Sequence, residues 1–200
     1  MTKRFALGFG FFFLLIADAL LSYCFVPDYQ FSRLSCQFHL SFIALLVFTH
    51  DKPWPTRLFS GMLVGIITDL FFATGSFPYA FLMYGFLAWA CGLLGGVLDN
   101  PKIAVVVYLL ATGLLDFIPF VYAKMIAHTL DVGLLTWLYH MEFLTFIVNV
   151  FAVLVLMWCH SVMVRFFIIQ NFLNQKEAQK ASPKESGSST SQPLEQPAKS

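Results

Sequence analysis

Three aspartates, Asp18, Asp69 and Asp116, each interrupt a long apolar run. A charged side chain at the centre of a membrane helix costs about 2.5–3.5 kcal/mol on insertion scales, so such groups are rare and turn toward the protein interior. Two carboxylates in contact could do general acid–base work, one holding the proton the other lacks, as in intramembrane aspartyl peptidases. Spread along a path, they could carry protons or a cation. Hydrogen-bonded each to a neighbouring helix, they would fix packing, and that is the expected use. Gln37, His39 and Asn149 are polar partners at matching positions along their runs, while no Gly-x-Gly-Asp pattern surrounds any of the three acids.

Other chemistry finds little support. His39, His50, His128, His140 and His160 have no ligand-like spacing, and no His-Glu-x-x-His occurs. His140 and Glu142 read as polarity at a membrane surface. Cys24, Cys36, Cys91 and Cys159 read as small apolar side chains, with a Cys24–Cys36 pairing as the alternative. No Gly-x-Ser-x-Gly elbow and no nucleotide loop is present, so no catalytic residue, metal ligand or cofactor site is assigned. Small residues are better placed. Gly61, Gly65 and Asp69 fall at i, i+4 and i+8, as do Ala88, Gly92 and Gly96, and such smooth faces let helices approach closely. They serve either to pack two helices of this chain together or to receive a partner's helix. On the second use, Gly65→Leu or Gly92→Leu should release the partner and leave the bundle inserted.

The elements that hold these residues follow from composition. Of 200 residues, 58% are hydrophobic and only 12% charged, with a net charge of +1, and the mean hydropathy is +0.75. Soluble chains run near 45–50% apolar and about 25% charged. The balance excludes a nucleic-acid binder and points to an all-α integral membrane protein. A bilayer core needs about 20 apolar residues of helix, and six stretches qualify: 5–26, 35–49, 58–73, 79–98, 103–122 and 141–164. Pro119 should kink the fifth. Residues 123–140 should lie at the interface or extend the sixth span. Residues 1–169 thus form a six-helix bundle, and the Ser/Pro/Gln-rich tail 170–200 should be a disordered cytoplasmic segment. With the N-terminus inside, ten of the twelve Lys and Arg fall on the cytoplasmic side and only Arg33 and Lys124 outside. Both termini are therefore expected in the cytoplasm.

Two hairpins share a spacing. Gly10, Asp18 and Pro27 are separated by eight and nine residues, and Gly61, Asp69 and Pro78 repeat those intervals. The run from Gly61 through Asp69-Leu70 to Gly75 and Tyr79 resembles the MreD family of rod-shape-determining membrane proteins. That resemblance implies a non-enzymatic role and a place in the bacterial cytoplasmic membrane. It implies association with MreC and, within the elongation machinery, with a SEDS glycosyltransferase, a penicillin-binding transpeptidase and, in rods, MreB. It also implies a fold like the substrate-binding subunits of energy-coupling-factor vitamin transporters, which makes a small-molecule binding subunit the alternative function. Asp18, Asp116 and the long tail are not family motif positions.

Overall fold

The structure, a computed structural model, describes residues 2–25, 34–72 and 79–181. Pro27, Asp28, Arg33, the break at 73–78 with Gly75 and Pro78, and the tail beyond Ala181 lie outside the described residues. Among those described, all regular secondary structure is helical: α1 (Thr2–Cys24), α2 (Leu40–Phe48), α3 (Trp54–Phe72), α4 (Tyr79–Leu93), α5 (Gly95–Leu98), α6 (Pro101–Val121), α7 (Leu134–Trp137) and α8 (Phe143–Ala181). Two π turns, Tyr122–Ile126 and Leu138–Glu142, extend α6 and join α7 to α8. Two continuous helical runs, Pro101–Ile126 and Leu134–Glu177, are long and apolar enough to cross a membrane.

Local sequence explains several boundaries. The Asn100 side chain accepts from the Lys102 amide at 3.1 Å with Pro101 in the first turn, so α6 starts with a cap and a residue pre-set for helix. Pro119 stays inside α6, which then widens into the π turn at Tyr122. The fourth expected span is split at Leu94, where Gly92, Gly95 and Gly96 weaken helix propensity. The sixth starts earlier, at Leu134, and continues past its expected end.

Two expectations are corrected. The stretch 35–49 is not one helix: residues 34–39 have no regular secondary structure and α2 has nine residues, about 13 Å at 1.5 Å per residue. The lead-in gives its hydrogen bonds to α8 and its approach, through Ser35 N–H to the His140 carbonyl at 2.8 Å and Gln37 N–H to Thr145 Oγ1 at 2.9 Å. The segment 170–181 is helical rather than disordered. It contains no glycine or proline, and the next proline in the sequence is in the Ser182-Pro183 pair that follows it.

Backbone packing divides the chain into two units, Met1–His160 and Ser161–Ser200. In the first, α2 is the centre, with every residue from Ser41 to Val47 buried. In the second, the distal part of α8 carries exposed Phe166, Ile168, Ile169 and Phe172. The first unit is apolar outside as well: Phe9, Phe13, Leu63, Leu110, Phe151 and Trp158 are each more than half exposed, while Asp18, Arg57, Asp69, Thr112, Thr145 and Asn149 are buried. Water as the surrounding solvent would select the reverse, because large exposed apolar patches and buried charges both cost free energy there.

α3 and α4 form a closely packed antiparallel hairpin. A Cβ on Gly61 would stand 2.5 Å from the Tyr84 carbonyl oxygen and 2.9 Å from Gly85 Cα. One on Gly65 would overlap the Ala80 carbonyl and lie 2.6 Å from Phe81 Cα. Met62 fills the space over Gly85, and Arg57 Cδ passes 3.1 Å from a Cβ on Gly92. The smooth face of α3 is therefore spent inside the chain.

Candidate functional site

The N-terminus of α2 is compensated by a charge from another helix. A helix carries about half a positive charge at its N-terminus and half a negative charge at its C-terminus, on backbone groups with no partner in their own ladder. His39, at the N-cap position, gives no side-chain cap. Asp18 of α1 supplies it instead. Its Oδ1 accepts from Leu40 N–H at 3.3 Å, and its Oδ2 accepts from Ser41 N–H at 3.2 Å and from the Ser41 hydroxyl at 2.6 Å. Beyond the other end, Arg57 of α3, also buried, donates to carbonyls of the turn that follows α2, those of His50 and, at 3.0 Å, Lys52. A helix buried from Ser41 to Val47 thus has a carboxylate at its N-terminus, and a guanidinium braces the turn that leaves it.

Asp69 repeats the job of Asp18. Its two oxygens accept from Ala80 N–H at 3.0 Å and Phe81 N–H at 2.9 Å, the first-turn amides of α4. The repeated Gly–Asp spacing therefore has a structural counterpart in the acids: each odd helix of the first two hairpins caps the helix that follows. The glycines do not match, since Gly10 has open space where Gly61 meets α4.

Asp116 departs from that pattern. Both its oxygens accept from His39 Nε2, at 3.0 and 2.9 Å, and the two side chains are about nine-tenths buried. Glu142, in the second π turn, lays an oxygen 3.7 Å from where a Cβ of Gly113 would stand, one turn before Asp116. Tyr79 donates from its hydroxyl to the Leu115 carbonyl at 2.8 Å, tying α4 to α6. A second polar group lies at the C-terminal end of α2, where His50 Nδ1 and the Tyr108 hydroxyl are 3.0 Å apart and His50 Nε2 faces Asp51 and Asp99 at 3.9 and 3.8 Å.

Each of the three aspartates named from sequence is thus held by a different partner, an arrangement suited to joining helices. Of the proposed polar partners, His39 meets an aspartate. Gln37 engages Thr145 through its backbone, and Asn149 Oδ1 has no hydrogen-bond partner among the described residues. Gly61, Gly65 and Gly92 pack within the α3–α4 hairpin and Ala88 is fully buried, so no helix from another protein can dock on those positions. Gly96 falls in α5 with open space around it. All four cysteines are free thiols, and among the described residues no three His, Cys, Asp or Glu side chains are grouped to hold a metal ion.

Sequence reasoning placed Arg57 among cytoplasmic surface charges and Glu142 at the interface. Their positions depend on where α2 ends and where α8 begins, and neither boundary has a local signal. Arg57→Ala should destabilise the bundle by about 2 kcal/mol, because two partly buried carbonyls lose a charged donor. A thermal melt in detergent reads this, and an unchanged melt would remove Arg57 from the support of α2. No family model matches this chain, and no curated protein or solved structure matches it.

Proposed function

We propose that this chain is a multi-pass protein of the bacterial cytoplasmic membrane, with six crossings and both termini in the cytoplasm, acting as a non-enzymatic scaffold of cell-wall elongation in the manner of the MreD family. On this reading it binds MreC and helps maintain cell shape alongside the wall synthases. The observation that carries the reading is the use made of the interior charges. Asp18 and Asp69 give both oxygens to backbone amides of α2 and α4, and Arg57 is held by backbone carbonyls. Carboxylates engaged in this way serve a fixed architecture. The resemblance around Asp69-Leu70 supports the same conclusion, since its acid holds the hairpin that contains the motif.

The vitamin-binding alternative would need an open seat for a ligand. In secondary transporters a helix N-terminus beside unwound backbone is presented to an anionic substrate. At α2 that seat is taken by the chain's own Asp18, which supports the scaffold reading over the alternative.

A pull-down of the tagged full chain from native membranes in mild detergent, read by mass spectrometry, separates the two. The expected result is a single-span protein with a large external domain, together with wall synthases. Recovery of two ATPases and a transmembrane coupling subunit would replace the scaffold reading with the transporter one.

A further inference from the structure

We propose that the non-helical segment 34–39 is a releasable strap that closes the end of the bundle at which α2 begins, and that the His39–Asp116 pair is the latch holding it to α6. The inference goes beyond the scaffold reading and does not depend on it.

The strap's ties run one way. Ser35 N–H reaches the His140 carbonyl at 2.8 Å, and the Ser35 hydroxyl lies 3.0 Å from Met141 Sδ. Gln37 N–H reaches Thr145 Oγ1, and His39 reaches Asp116. All of these partners belong to α6, α8 or the π turn before α8. The helix that the strap leads into is capped from elsewhere, by Asp18 of α1. Detaching the strap from α6 and α8 therefore leaves the cap of α2 in place.

The receiving side is also built to stand alone. The Thr145 hydroxyl donates to the Met141 carbonyl of its own helix at 2.7 Å, so it keeps a partner when Gln37 leaves. The Ser35 contact falls on a π turn, an interruption of the regular helical ladder that is frequent at functional sites. Asp18 and Asp69 hold backbone amides, and losing them would unwind a helix end. Asp116 differs in that it is bonded to the ring of His39, and such a side-chain pair parts and reforms by rotation about side-chain bonds. The charged groups that face His39 are Asp116 on α6, Asp18 on α1 and Glu142 in the π turn, and only Asp116 contacts its ring nitrogen.

The strap carries its own reporter. Cys36 is 2% exposed and Cys91, on α4 and outside the strap, is 4% exposed. Full-length protein in proteoliposomes is treated with N-ethylmaleimide, and the two thiols are followed separately by peptide mass spectrometry. In the unaltered protein Cys36 should react faster than Cys91 despite equal burial. Asp116→Asn and His39→Gln should each raise the Cys36 rate about tenfold or more, as expected for loss of a charged hydrogen bond. The double variant should add little to either one, and Cys91 should stay at its native rate. Equal rates in the unaltered protein, or a Cys36 rate unmoved by both substitutions, would overturn the latch. A parallel rise at Cys91 would do so too, because the pair would then support the whole bundle.

Discussion

Gly65→Ala should destabilise the protein by about 2 kcal/mol or more, and Gly65→Leu should abolish a folded, monodisperse product. The added Cβ has nowhere to go: it overlaps the Ala80 carbonyl and lies 2.6 Å from Phe81 Cα, and both neighbours are backbone. A flexible side chain could swing aside, but here the helices themselves must part. Overpacking costs about 1–3 kcal/mol and occasionally more. Separation of α3 from α4 also stretches the bonds from Asp69 to Ala80 and Phe81, whose loss as a cap costs about 0.5–2 kcal/mol further. Gly61→Ala should come close behind. Gly92→Ala should cost less, since the atom it meets at 3.1 Å is Arg57 Cδ, part of a flexible side chain. Gly96→Ala should be neutral or slightly stabilising, because nothing lies within 4 Å and alanine favours helix. Size-exclusion profiles and melts of the four alanine variants check the order. A Gly65→Ala protein as stable as Gly96→Ala would mean that α3 and α4 do not approach this closely. If such a stable variant also lost its partner, the glycine face would be a docking surface after all.

The same geometry shows which parts of the molecule a linear reading can reach. Helices were legible where an apolar run ended at a local signal, as at Asn100-Pro101 before α6; the third span was expected from 58, whereas α3 takes Trp54 and Pro55 into its first turn. Interior polarity was legible as well, since three acids in apolar runs must be held by something. What they hold was not, because the answer is non-local. Asp18 caps a helix that begins 22 residues later, and Asp116 meets a histidine 77 residues earlier in the chain. Residues 34–39 look like the start of a helix in sequence and stay out of it because Ser35 and Gln37 find partners more than 100 residues away. The small-residue faces were visible, but two-helix packing and docking leave the same mark in a sequence. Only the backbone of α4 lying over Gly61 and Gly65 decides between them.

The polar interior follows one rule with one exception. Non-helical backbone and helix ends are tolerated at membrane depth only where protein groups satisfy them. α2 has both a non-helical approach and a buried N-terminus, so it needs the most help. It receives Asp18 at that end, Arg57 braces the turn that follows it, and Ser35 and Gln37 complete the approach through α8 and the π turn before it. A nine-residue helix gains little from its own hydrogen bonds, since isolated helices below about 12–15 residues are marginal in water. Its place at the centre is secured by its neighbours.

Asp18→Ala should therefore be among the most damaging single changes, costing about 4 kcal/mol. It leaves Leu40 N–H, Ser41 N–H and the Ser41 hydroxyl without their acceptor in a site where Asp18 is 2% exposed. Each unsatisfied buried donor costs about 1–3 kcal/mol, and partial relaxation of the strap keeps the total below the sum. Asp18→Asn is the milder change. It keeps one acceptor oxygen but turns an NH2 donor toward a donor that the second carboxylate oxygen had met. It also removes the favourable charge at the helix N-terminus, a term of about 0.3–1 kcal/mol that reaches about 2 when partly buried. The asparagine variant should thus fall about midway between the native protein and the alanine variant. Asp99→Ala, at a side chain 80% exposed, should stay within about 0.5 kcal/mol of native. Melting curves suit the comparison when read by labelling of Cys91, a buried thiol on α4 outside the strap. Equal melts for Asp18→Ala and Asp99→Ala would mean that α2 stands without the carboxylate. Equal melts for the alanine and asparagine variants, both well below native, would mean that α2 needs both carboxylate oxygens as acceptors.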